Sequence, residues 1–330
     1  MKRFQDSFAV LILVLTCAFG LLLPGCAGSN QPEPTKQPLL ETQVLTEPTE
    51  DNPEAEQVLK RAVPILLYHH ITEEPQSNAV SLARFEEQLR AITDAGYTAV
   101  SFQQLIRFVE SGSSLPDKSI VITFDDGYES NLTLAAPILQ KYGMQATVFV
   151  IGVSIGKDTY KDTGVAMIPH FALNDADSWQ GVIQIESHGY DVHEVAGRDP
   201  DPIRLGVLQK ENETGEAYAE FLASDCVAMS NLFLTAYGRE PQIFAYPYGM
   251  FSDVGDRILL DQGIRATVTT RPHLNWLEQG NLDCLLRMGR FSISEEVTAE
   301  DMQYLLEFGA FPEPEVPVTE PAENPTGDTP

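Results

Sequence analysis

Three apolar runs rich in β-branched residues end in groups able to do chemistry. Residues 119–124 run into Asp125-Asp126, residues 181–186 lead to His188 and His193, and residues 63–68 lead into His69-His70. Four of the 6 histidines of the chain therefore sit at strand ends, where parallel α/β folds assemble their sites. Two imidazoles and one carboxylate form a donor set for a catalytic divalent ion with positions left open, suiting Zn²⁺, Co²⁺, Ni²⁺ or Fe²⁺. Such an ion acidifies a water and polarises a carbonyl. The remaining carboxylate can accept the water's proton, and a nearby imidazole can protonate a leaving group. Successive side chains of an extended strand point to opposite faces. Asp125 and Asp126 are thus expected to face apart, and His70 to face away from the site and be structural. His170 and His273 fall in loops and read as surface residues.

These runs belong to an alternation of strands and amphipathic helices that starts near residue 62. Strands are expected at 63–68, 97–100, 119–124, 146–151, 181–186, 242–245 and 265–269. Between them, helices are expected from Ser81 to about Gly96 with a capping-box-like start, and over 102–110, 131–142, 215–237 and 253–262. Roughly seven such pairs predict an α/β barrel, an open doubly wound sheet being the alternative. Residues 152–180 lack periodicity and read as a loop or insertion. No internal repeat and no Gly-rich phosphate loop is found.

The chain has 330 residues, 43% hydrophobic and 9% aromatic, ample for a core. Its 21 basic against 48 acidic residues give a net charge of -27, which argues against a nucleic-acid partner held through phosphates. Residues 27–60 and 311–330 each carry -5 and residues 1–26 carry +1, which leaves -18 for residues 61–310. Both flanks are Pro- and Glu-rich and read as solvated linkers. The first 26 residues read as a secretory signal: Lys2 and Arg3 precede an apolar run too short to span a bilayer. It closes on Leu23-Pro24-Gly25-Cys26, which resembles the bacterial lipobox and marks Cys26 for lipidation. The expected organisation is a signal peptide at 1–26, a disordered tether at 27–60, a folded domain at 61–310 and a disordered tail at 311–330. Lipid anchoring would place the protein outside the cytoplasm, at the cell membrane. Cys226 and Cys284 are free to pair in that compartment, although the spacing does not establish a bond.

Thr123-Phe124-Asp125-Asp126-Gly127 resembles the first motif of the polysaccharide deacetylases with NodB homology, carbohydrate esterase family 4. Ser187-His188-Gly189-Tyr190-Asp191-Val192-His193 is similar to the second motif, and Phe244-Ala245-Tyr246-Pro247-Tyr248-Gly249 to the third. Tyr68-His69-His70-Ile71 resembles the opening YHxI motif of the branch that acts on poly-N-acetylglucosamine. The resemblance covers roughly residues 62–305 and implies a distorted (β/α)7-type barrel. It implies a metal site of Asp126, His188 and His193, Zn being favoured with Co or Ni possible, with Asp125 as general base and His69 as general acid. The backbone N–H of Tyr248 would hold the oxyanion. Tyr246, Pro247 and Tyr248 would wall the groove, with Trp276 as a further stacking residue. Two departures stand out: Gly189 replaces a Ser or Thr, and Ala245 stands where many members have an Arg that pairs with the catalytic Asp.

The activity implied is hydrolytic removal of acetyl groups from a cell-surface N-acetylated polysaccharide, poly-N-acetylglucosamine or peptidoglycan, by a monomer. Two rival readings stay open. One is a surface lipoprotein that binds glycan or metal without turnover, and the other a metal-dependent amidase acting on a small amide, should residues 152–180 close the groove.

Overall fold

The computed structural model describes residues 44–45 and 58–312. The expected signal segment, Cys26, most of the tether and the tail beyond residue 312 lie outside the described residues. Eight short strands build the central sheet: β1 (Ile65–Tyr68), β2 (Thr98–Ala99), β3 (Ser119–Phe124), β4 (Ala146–Val150), β5 (Ile183–Ser187), β6 (Ile243–Ala245), β7 (Ala266–Val268) and β8 (Phe291–Ser292). Seven of them follow the order β7-β6-β5-β4-β3-β1-β8, and β2 pairs with the start of β3. Every pairing among them is parallel. The edges β7 and β8 approach through a parallel bridge between Val268 and Met288, three residues before β8 begins. The wall is therefore the curled, barrel-like sheet expected from the strand–helix alternation.

Strand β3 is buried at every position, which is why it reads as an unbroken apolar run with no alternation. Its two faces nevertheless differ. Val121 joins Ile65, Phe149, Ala245 and Val268 in one cluster, whereas Ile120, Ile122 and Phe124 pack with Leu66, Tyr68 and the helix residues Phe85 and Leu89 in another. By the two-residue period, Asp125 shares the face of Val121 and Thr123, and His69 the face of Ile65 and Leu67. Each fully buried Phe or Leu of these clusters contributes about 1.5–3 kcal/mol.

Helix α1 (Leu82–Asp94) starts at Ser81, whose hydroxyl accepts the Arg84 N–H. Helix α2 (Phe102–Ser111) carries a capping box between Ser101 and Gln104 and ends on Gly112 in the left-handed conformation. The helix expected over 131–142 begins as a wide turn, Asn131–Ala135, before α3 (Ala136–Lys141). Helices α4 (Gly215–Tyr237) and α5 (Asp253–Asp261) match the amphipathic stretches. A sixth, α6 (Ala299–Phe308), also carries a capping box, Thr298 with Asp301.

The run at 63–68 is not one strand. Pro64 has no N–H to give and separates β1 from an antiparallel strand, Val58–Val63, that pairs with Asn275–Glu278. That strand begins inside the span assigned to the tether, and Phe311, in the span assigned to the tail, lies edge-on to Phe291 at 6.0 Å. Residues 152–180 contain short turns and a two-residue antiparallel pair, Thr159–Tyr160 with Val165–Ala166. Cys226 and Cys284 are both free. Among the described residues no helix is long and apolar enough to cross a membrane.

Candidate active site

Strand β3 stops at Phe124, and the chain leaves it through a left-handed residue: Asp126 has φ 74°. A side chain held there is strained by about 1–3 kcal/mol, although Asp tolerates the region better than most residues. The turn breaks the alternation expected for the two carboxylates. Asp125 Oδ2 lies 3.9 Å and Asp126 Oδ1 3.7 Å from the same atom, His188 Nε2. Gly127 follows at φ 87°, and a Cβ there would meet Val150 Cγ1 at 2.9 Å, so the DDG turn needs its glycine.

His188 is buried at the end of β5, its Nδ1 2.7 Å from the Ala245 carbonyl. A carbonyl can only accept, so Nδ1 carries the proton and Nε2 offers its lone pair toward the carboxylates. Burial lowers the His188 pKa to about 4 against the opposing pull of Asp125, which keeps the ring neutral at physiological pH. Between the two histidines the chain turns at Gly189, φ 84°. A Cβ there would lie 2.1 Å from Val192 Cγ1, so the hydroxyl residue of the family motif has no room. The loop is instead anchored by the buried Asp225 of α4, which accepts the N–H groups of Tyr190 (2.8 Å) and Asp191 (2.6 Å). Gly189→Ala is accordingly expected to weaken metal binding at least about tenfold, the scale of a disturbed outer shell, as measured by competition with a chromophoric chelator. Unchanged affinity would show that the turn tolerates a side chain.

His193 Nε2 lies 3.9 Å from Asp126 Oδ1. Donor atoms of Asp126, His188 and His193 all fall within 4.8 Å of one another. Metal–ligand bonds of about 2.0–2.1 Å at tetrahedral angles place donors about 3.3 Å apart, so contacts of 3.7 and 3.9 Å need only a small contraction. One carboxylate and two imidazoles, one of them with its protonated nitrogen already engaged, fit a divalent ion. Asp126 is half-buried, and although burial opposes ionisation, the imidazoles of His69, His188 and His193 hold its pKa below the usual carboxylate value. Tyr128 Oη donates to Asp126 Oδ2 at 2.8 Å, orienting the free oxygen toward the histidines.

The guanidinium missing at Ala245 arrives from elsewhere. Arg290, fully buried just before β8, grips Asp125 with two parallel bonds of 2.6 and 2.7 Å. Its remaining donors go to the Thr269 carbonyl at 2.9 Å and Thr123 Oγ1 at 3.2 Å. Burial pushes the Asp125 carboxyl up, but Arg290 and then His188 overcome it and bring the pKa to about 2. Asp125 is thus a carboxylate at every physiological pH. Sequence reasoning missed Arg290 because it stands 165 residues from its partner with no motif around it.

His69 is exposed and lines, with Tyr128 and Ser294, an open cavity of about 520 Å³ beside the triad. His70 meets Ser130 Oγ at 2.8 Å, but it lines the same cavity as His69 and does not face away from it. His170 is not a surface residue: it is half-buried, lies 4.9 Å from the Tyr128 ring and lines a cavity of about 220 Å³ together with Asp126 and His193. The bridge between Tyr128 and His170 brings it there, and nothing in the local sequence signals that pairing. Exposed Tyr248, at φ 58°, holds its ring tilted 48° to that of His193 with centroids 4.6 Å apart and donates through Oη to the Glu194 carbonyl. Tyr246 does not face the groove. It is fully buried and its hydroxyl bonds to Asp256. Pro247 is buried beside it. Trp276 is also misplaced as a groove residue, because it pairs with Ala62 in the antiparallel strand Val58–Val63, which Pro64 separates from the β1 strand leading to His69.

Residues 112–267 match the family model of polysaccharide deacetylases. The chain is 29% identical over 220 residues to Bacillus subtilis YxkH, a protein named for polysaccharide deacetylase, covering 66% of this chain and 68% of that one. It is 27% identical over 202 residues to the poly-β-1,6-N-acetyl-D-glucosamine N-deacetylase of Escherichia coli, a match to 55% of this chain but only 30% of the relative. The fold is similar to that of IcaB from Ammonifex degensii, with a TM-score of 0.61 at 23% identity over 74% of this chain and 97% of the other. The matched segment carries both carboxylates, both histidines and Tyr248, and its similarity to the polysaccharide deacetylases supports hydrolase activity.

Proposed function

We propose that the protein is a metal-dependent deacetylase of an N-acetylated cell-surface polysaccharide, poly-N-acetylglucosamine or peptidoglycan, tethered through Cys26 to the outer face of the bacterial membrane and working as a monomer. The observation that carries this reading is the juxtaposition of an ionised Asp125, clamped by Arg290, with the donor atoms of Asp126, His188 and His193, which lie within 4.8 Å of one another. Those three residues would hold the ion, Zn most fittingly, with Co or Ni as substitutes. Bound there, the ion supplies Lewis acidity that acidifies water and polarises the acetamide carbonyl.

Asp125 takes the proton of the attacking water, while Arg290 keeps its carboxylate aimed. Tyr248 offers its backbone N–H to the oxygen of the tetrahedral adduct. His69 then protonates the departing nitrogen, and the products are acetate and a free glucosamine unit. A polymer is favoured over a small amide because His69 and Tyr248 stay exposed, and the cavity that His69 lines is open and takes no residue of 152–180 into its wall. The net -18 of the folded body also suits a neutral glycan whose product is cationic.

The test is mass spectrometry of N-acetylglucosamine oligomers and muropeptides after incubation with Zn- or Co-loaded protein. Acetyl loss is expected, abolished by chelation and restored by metal. Metal binding with no acetate released from any of these glycans would favour a non-catalytic binding protein.

A further inference from the structure

A metal-ligating histidine ordinarily gives its second ring nitrogen to a carbonyl or carboxylate, which fixes the ring. His188 does so through Ala245, but His193 Nδ1 is buried with no hydrogen-bond partner. Orientation of His193 is then left to ring contact with Tyr248 and to the backbone that carries it. On one side of His193 is Asp191, on the other Asp199, whose Oδ2 accepts the Val195 N–H at 2.6 Å. One cation joins the two: Lys161 Nζ lies 2.7 Å from Asp191 Oδ1 and forms a close ion pair with Asp199 Oδ1. Lys161 belongs to the 152–180 insertion and holds a left-handed backbone, φ 47°, at the end of the Thr159–Tyr160 strand. Its neighbour Tyr160 bonds to the same Asp199. The insertion also pairs directly with the loop, Gly152 N–H to Gly189 C=O at 3.0 Å and Val153 N–H to Tyr190 C=O at 2.9 Å.

We infer that Lys161 is a positioning residue for His193: by bridging Asp191 and Asp199 it clamps the metal-binding loop from both flanks and replaces the ring hydrogen bond that His193 lacks. This deepens the metal reading above and rests on it. The insertion is then part of the metal centre's frame, and the ionic part of its attachment is largely shielded from solvent at Lys161 and Asp199.

The experiment measures Co²⁺ affinity of the full chain by chelator competition, together with the visible Co²⁺ absorption band that reports ligand geometry. Lys161→Met is expected to weaken Co²⁺ binding about tenfold, the lower end of outer-shell effects, and to shift the band. Lys161→Arg should restore most of both. Lys157→Met, which removes the insertion's other ion pair, with Asp162 at 3.7 Å, should change neither. Should Lys161→Met not fold, Asp191→Asn takes its place with the same expectation. Wild-type affinity and an unchanged band in Lys161→Met, or an Arg variant as weak as the Met variant, would overturn the clamp. A wild-type chain that binds no Co²⁺ would instead overturn the metal site itself.

Discussion

Replacing Arg290 by methionine is expected to cost about 3–5 kcal/mol of folding stability, the scale of a buried ion pair broken from one side. Methionine roughly fills the space, so the loss comes from charge: a carboxylate that is 2% exposed loses both of its guanidinium bonds. The pH dependence separates this from simple loss of packing. In the wild type the folded pKa of Asp125, about 2, lies below its usual 3.8. The pair therefore contributes stability that is fully present above about 4 and lost as pH falls toward 2. Without Arg290, burial, which raises the carboxyl pKa and favours the protonated form, is opposed only by His188 and His69. The stability gap between wild type and variant should thus be widest near neutrality and shrink on acidification through that window. Urea midpoints of the metal-free proteins at neutral pH and below pH 4 measure it. A gap of under about 1 kcal/mol, or one that does not move with pH, would contradict the ion-pair account.

The barrel was legible because parallel strands buried on both faces leave continuous β-branched runs, as 119–124 and 146–151 do, and a helix can announce itself by a cap such as Ser81. Short pieces were not. Strand β8 is two residues long, and Asn275–Glu278 exists because it pairs with a distant segment, information no local window contains. The same division runs through the site. Asp125, Asp126, His188 and His193 stand at strand ends whose type could be read, and the chain brings them to one point. Arg290, Asp225 and Lys161 act from 165, 34 and 38 residues away on the groups they hold, so only folding reveals them. Tyr246 failed for another reason: an aromatic within a site motif says nothing about which face it takes, and here the ring is buried and its hydroxyl bonds to Asp256.

The general-base assignment makes a prediction that divides the two adjacent aspartates. Asp125→Asn is expected to lower kcat about a thousandfold, within the 10²–10⁴ range of general base catalysis, while Co²⁺ affinity stays within a few-fold of wild type, because Asp125 lies outside the donor triad. Asp126→Asn should do the reverse at the level of binding: its affinity falls, and part of the lost activity returns at high metal concentration. Asparagine at position 125 can accept one of Arg290's two bonds but presents its own N–H₂ group to the other, so the variant is less stable, and rates must be compared well below its melting temperature. The acid limb of the wild-type rate profile tests the same picture. With Asp125 ionised down to about 2, protonation of the base does not set that limb. His188, lowered to about 4, loses its lone pair first, so the limb should track metal release and move to lower pH as metal concentration rises. Full activity in Asp125→Asn, or loss of metal with it, would remove Asp125 from the role of base.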